Sequence, residues 1–107
     1  MTAWKSFEAS AAAIFNGKRF WANSGERLDF EGTILRAVDC TIHEKRCDPI
    51  QIHGQCKLVR TLSLEALTKL AEESGVDVVC VKVRRGSGKA SPMLVVFTEE
   101  NYRRLHG

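Results

Sequence analysis

Helix-patterned and strand-patterned segments alternate along this chain, which predicts an α/β (α+β) fold in the order α-β-β-β-α-β-β-α. Three observations carry that prediction. Trp4, Phe7, Ala11, Ile14 and Phe15 recur at helical spacing near the start. Residues 50–59 alternate apolar and polar, while Val78-Val79-Cys80-Val81 is apolar throughout. Hydrophobic residues make up 44% and charged residues 27% of 107 residues, with 8 Gly and 2 Pro, an ordinary globular balance without linkers or repeats. One domain over residues 1–107 is the expectation at this length.

The first helix is expected over residues 3–16, with Gly17 as its stop. At 100° per residue Phe15 falls 20° and Glu8 40° from Trp4, so Glu8 lies on the apolar face. A carboxylate there must be paired, hydrogen-bonded, metal-bound or at the rim in water. Ser24-Gly25 reads as a turn. Arg27–Glu31 alternates strictly, placing Leu28 and Phe30 on one face and Asp29 and Glu31 on the other, and Gly32 separates it from a second β-prone run, Thr33–Cys40. Residues 41–49 are polar and read as a loop. Ile50–Val59 is a strand with Ile50, Ile52, Cys56 and Leu58 on one side and Gln51, His53, Gln55 and Lys57 on the other.

Ser63 can cap a helix running to about Ser74, striped by Leu64, Leu67, Leu70 and Ala71 and stopped by Gly75. Val76–Arg84 is a strand buried on both faces, and Met93–Phe97 is the next one. Thr98 caps a final helix with Glu99 and Glu100 at its start and Arg103 and Arg104 at its end, the favourable order for its dipole.

The net charge is 16 − 13 = +3, but it is unevenly spread. Residues 78–107 hold six bases and two acids, 6 − 2 = +4, against 10 − 11 = −1 before them. A basic end of this kind suits a polyanionic partner. No apolar run approaches the ~20 residues that cross a bilayer. The opening Met1-Thr2-Ala3-Trp4-Lys5 lacks the charged and apolar regions of a signal peptide, so a cytoplasmic location without membrane contact is expected. Cys40, Cys47, Cys56 and Cys80 are then expected to be reduced. Cys40-x-x-His43 and His53-x-x-Cys56 offer zinc-ligand types, although residues three apart on a strand face opposite sides.

The chain has no P-loop, and Gly86-Ser87-Gly88-Lys89 opens no helix. It also has no nucleophile elbow and nothing that orients a Cys/His pair. The remaining groups suit a divalent cation with oxygen ligands, Mg²⁺ or Mn²⁺. Asp29 is the principal candidate, Gln55 and the Cys56 backbone carbonyl offer neutral oxygens, and Glu31 or Asp48 could assist. Lys57, on the same side as Gln55, could orient water or stabilise charge at a phosphate.

The order of these parts resembles a family. Phe7-Glu8, Ala11-Ala12-Ala13, Asn16-Gly17-Lys18-Arg19, Trp21-x-Asn23-Ser24-Gly25, Asp29-x-Glu31 and Gln55-Cys56-Lys57 are followed by a Leu-rich helix, Val78–Lys82 and Leu94–Phe97. Together they look like the Holliday junction resolvase-like branch of the PD-(D/E)xK nucleases, including phage and mobile-element members. The resemblance implies a restriction-endonuclease-like core, a central mixed sheet flanked by helices. It implies the catalytic set Glu8, Asp29, Gln55 and Lys57, magnesium, and a DNA substrate, branched DNA included. A homodimer is expected, because cutting two strands needs two sites. Lys82, Arg84, Arg85 and Lys89 would grip phosphates. The sequence departs from the pattern in two ways: Gln55 stands where the family has an acid, and the stretch from Gly32 to Ile50 is long, which makes Asp48-Pro49 a rival to Asp29.

Three readings follow. The first is a magnesium-dependent DNA endonuclease. The second is a nucleic-acid-binding domain on the same fold, its metal site decayed through Gln55. The third is an oligomeric, partner-binding protein that uses Trp4, Phe20 and Trp21.

Overall fold

The computed structural model describes residues 3–20, 28–35, 49–85 and 91–106. The elements in chain order are α1 (Ala3–Ile14), β1 (Lys18–Arg19), β2 (Phe30–Leu35), β3 (Pro49–Val59), α2 (Leu64–Ala71), β4 (Val78–Val83), β5 (Met93–Val96) and α3 (Glu99–His106). The strands form one five-stranded mixed sheet in the order β1-β2-β3-β4-β5. β1, β2 and β3 pair antiparallel, β3 and β4 pair parallel, and β5 returns antiparallel to β4. The parallel step needs a crossover, and α2 supplies it.

Strand alternation divides the core into two layers. On one face Phe7, Ala11, Ala12 and Phe15 from the α1 region and Leu105 from α3 pack over Phe30, Ile52, Cys56, Val78 and Cys80. On the other, Leu67, Leu70 and Ala71 of α2 pack with Val76, Val79 and Val81. β4 serves both layers, which explains why Val78–Val81 is apolar without alternation. The even residues of β3 therefore face α1 and α3, and its odd residues face α2.

The expected element order holds, but the first strands are composed differently. Arg27–Glu31 and Thr33–Cys40 were expected as two strands parted at Gly32. Instead β2 runs unbroken through Gly32, and the extra strand is the two-residue β1. A Cβ on Gly32 would lie 2.5 Å from the Phe15 Cβ, so glycine is there for close packing against the end of α1 rather than for a turn. The helix ends follow their caps. Ser63 Oγ accepts from the Ala66 N–H at 3.1 Å, and Thr98 Oγ1 accepts from the Asn101 N–H at 3.1 Å. After Ala71 the chain turns through residues 72–75, with Gly75 at φ +83°. Among the described residues no helix is long and apolar enough to cross a membrane.

Candidate functional site: the fork between β2 and β3

β2 pairs with β3 as far as Phe30↔Gly54 and there parts from it. Glycine at 54 is required at this point: a Cβ would lie 2.1 Å from the Phe30 ring, which crosses directly over β3. Asp29 sits in the opening of the fork. Its N–H donates to Gly54 O at 2.8 Å, and its carbonyl accepts from the Phe20 N–H at 2.9 Å. Its carboxylate takes the place of the missing strand, with Oδ2 accepting from the Cys56 N–H at 2.7 Å. The N–H and C=O of a strand residue point to the same edge, so the Cys56 carbonyl also faces the fork.

Glu8 reaches this point from α1. It is 5% exposed, so its place on the apolar stripe is a buried one. Its carboxyl lies within hydrogen-bonding reach of the Asp29 carboxyl. Arg19 of β1 lies opposite Phe30 and so projects to the α1 face, where its Nη2 stands 3.5 Å from Glu8 Oε1. Lys57, half-buried on β3 in the same row as Gln55, acts on Asp29 from the other face of the sheet, its charge drawing the Asp29 carboxyl down.

The electrostatics are those of two acids forced together. Burial and then the neighbouring Asp29 charge push the Glu8 carboxyl above its usual value, and Arg19 opposes them. Burial also pushes Asp29 up, against the Cys56 N–H, Lys57 and the hydrogen bond from Glu8. That hydrogen bond favours a proton on Glu8 and an ionised Asp29. A divalent cation would relieve the same strain by neutralising both. The donor set, two carboxylates and a backbone carbonyl with a lysine beside them, suits an oxygen-preferring ion. Among the described residues no three or more His, Cys, Asp or Glu side chains are grouped to hold a metal. The carboxylates present are therefore a pair.

The other expected residues fall in different places. Gln55 is 5% exposed on the α2 side of β3, and its Nε2 donates to Glu73 Oε2 at 3.1 Å. Its neutral amide is thus held by an acid from the turn after α2. Glu31 pairs with Lys18 at 3.6 Å and accepts from Gln51 Nε2 at 3.3 Å, an engagement away from the fork. Asp48 and Lys89 lie outside the described residues, as do Cys40, His43, Cys47 and Trp21. His53 and Cys56 point to opposite faces: His53 stacks on Phe20 with centroids 6.1 Å apart, and Cys56 is in the core. Burial pushes the Cys80 thiol up to about 12 and raises that of Cys56 as well, so both are held as thiols.

Lys82 is half-buried on β4, and Arg84 and Arg85 are exposed just beyond its end. The Arg84 N–H donates to Val59 O at 2.7 Å, which sets Arg84 beside the exposed Arg60. These bases gather at the C-terminal ends of the parallel pair, downstream of Lys57. Arg60, Arg19 and Glu73 were missed in the sequence. Arg19 carried one available signal, its position in a short β-prone run after the helix stop. The contacts of Arg60 and Glu73 depend on the β3–α2–β4 crossover, which no local pattern encodes. No family model, curated protein or solved structure matches the chain.

Proposed function

We propose that this chain is a metal-dependent DNA endonuclease whose active site is the fork between β2 and β3, on a sheet arranged as in restriction-endonuclease-like proteins. The observation that carries the reading is the meeting of Glu8 and Asp29 at the Cys56 backbone, where β2 parts from β3, with the Lys57 charge acting on Asp29 from the other row of β3. Asp29 and Glu8 would hold Mg²⁺ or Mn²⁺ together with the Cys56 carbonyl. When bound, such an ion lowers the pKa of water and polarises a phosphoryl oxygen.

The remaining chemistry belongs to the chain. The Lys57 charge acts on Asp29 from the other row of β3, and from there its ammonium would orient the attacking water and offset charge at phosphorus. Water oxygen bonds to phosphorus as the bond to the leaving oxygen breaks, and a proton passes to that oxygen. Lys82, Arg84, Arg85 and Arg60 provide phosphate contacts that position DNA without reading sequence. The antiparallel β1-β2-β3 meander and the parallel β3–β4 crossover support the restriction-endonuclease-like arrangement.

Purified protein incubated with linear and four-way-junction DNA in Mg²⁺ should yield cut products. Asp29→Ala and Lys57→Ala should each abolish them. Products that persist in both variants would refute the assignment.

A second reading has its own observation. Gln55 is neutral and its amide is tied to Glu73, so the metal site is one charge poorer than the family pattern implies. A decayed binding domain would bind DNA in a salt-sensitive way, without divalent dependence and without cleavage.

A further inference from the structure

The two residues of β1 divide their charges between the faces of the sheet. Lys18 lies opposite Glu31 and pairs with it, while Arg19 lies opposite Phe30 and turns to Glu8. A guanidinium presents five N–H donors in a rigid fork, and a firm pairing with a carboxylate uses two of them at about 2.8 Å. Arg19 does not bind Glu8 in that way. Its Nη2 stands 3.5 Å from Glu8 Oε1, and among the described residues its buried Nε has no hydrogen-bond partner. The side chain is 26% exposed, so the guanidinium has a route outward. Arg19 thus stands opposite Glu8 without locking onto it, and its present position leaves a buried donor unsatisfied.

We propose that Arg19 is a displaceable counter-ion, a resident cation that stands in for a divalent ion at Glu8 and is pushed aside when that ion enters. The inference rests on the metal site proposed above and adds a positioning residue to it. The fork then exchanges one cation for another, so the two acids need not meet each other unscreened in the metal-free protein. Binding of the divalent ion must release Arg19, and that release weakens the measured affinity. Even at water's dielectric constant, a unit charge about 6 Å from a divalent ion opposes it by roughly tenfold in affinity.

Calorimetric titration of Mn²⁺ into the wild type, Arg19→Gln and Arg19→Lys tests this. Arg19→Gln should bind about tenfold more tightly than the wild type, and Arg19→Lys, which keeps the charge, should stay within about threefold of it. Equal or weaker binding by Arg19→Gln would overturn the inference while leaving the metal site standing. No Mn²⁺ uptake by any of the three at millimolar concentration would remove the metal site and the inference with it. A second measurement needs no variant. In the wild type the buried Arg19 Nε–H should exchange slowly with solvent, and Mg²⁺ should accelerate that exchange. Protection unchanged at saturating Mg²⁺ would contradict displacement.

Discussion

Two aspartates flank the same central strand and do the same local task with opposite consequences. Asp29 accepts from the Cys56 N–H at 2.7 Å where β2 parts from β3. Asp77 accepts from the His53 N–H at 2.8 Å just before β4 joins on the other side. Each carboxylate replaces a strand that has ended or not yet begun, satisfying a backbone donor that would otherwise be orphaned. They differ in their partners. Asp77 is met by Arg104 of α3, and Asn101 of the same helix donates to Val76 O at 3.4 Å, so this junction fastens α3 to the sheet. Asp29 is met instead by a second carboxylate, Glu8, with Arg19 only loosely opposed to it. One junction commits its charge to cohesion, and the other holds two carboxyls together in a buried place with Arg19 and Lys57 as the opposing charges.

Substitutions should separate the two junctions. The largest effect is expected at the fork: Asp29→Ala should reduce Mg²⁺-dependent cleavage by at least about a thousandfold, as expected when a principal metal ligand is lost. It should also cost about 1–3 kcal/mol of stability, because the Cys56 N–H loses its acceptor. Asp77→Ala should cost a similar or larger amount, about 2–4 kcal/mol by denaturant unfolding, and leave cleavage per folded molecule unchanged. A loss of activity in Asp77→Ala at full folding would erase the distinction.

Glu8→Gln should stabilise the protein at neutral pH, measured by denaturant unfolding, while lowering divalent affinity. The sign follows from the raised Glu8 carboxyl. A group whose pKa is raised on folding lends stability below its unfolded value and loses it as pH rises through the folded one. The gain over wild type should therefore appear on going from pH 4 toward pH 7, and equal curves at all pH values would contradict the crowding of Glu8 and Asp29. The smallest effect belongs to the basic end. Arg84→Ala should weaken DNA binding a few-fold for all sequences alike and reduce the salt slope by about one, measured by fluorescence anisotropy at several salt concentrations.

The outline of both junctions was partly legible in the sequence. Alternation in Ile50–Val59 placed Gln55 and Lys57 in one row and Cys56 in the opposite one, and helical angles put Glu8 on the buried stripe. These are local periodicities, and burial enforces them. What could not be read depends on where strands part. Asp29 reaches the Cys56 N–H only because β2 leaves β3 at Gly54, where the Phe30 ring lies over a glycine 24 residues away. Gly32 misled for a related reason, since a glycine chosen for packing against Phe15 looks in the sequence like a turn. Arg19 and Asp77 gain their partners from α1 and α3, contacts that depend on how those helices pack against the sheet.

The central claim is that the fork, and not its counterpart at Asp77, takes up a divalent cation. The most direct test is a Mg²⁺ titration of isotope-labelled protein followed through its backbone amide resonances. Saturable shifts should centre on Glu8, Asp29 and Cys56, while His53 and Asp77 stay largely unmoved. Shifts of equal size at both junctions, or none at the fork, would contradict the account.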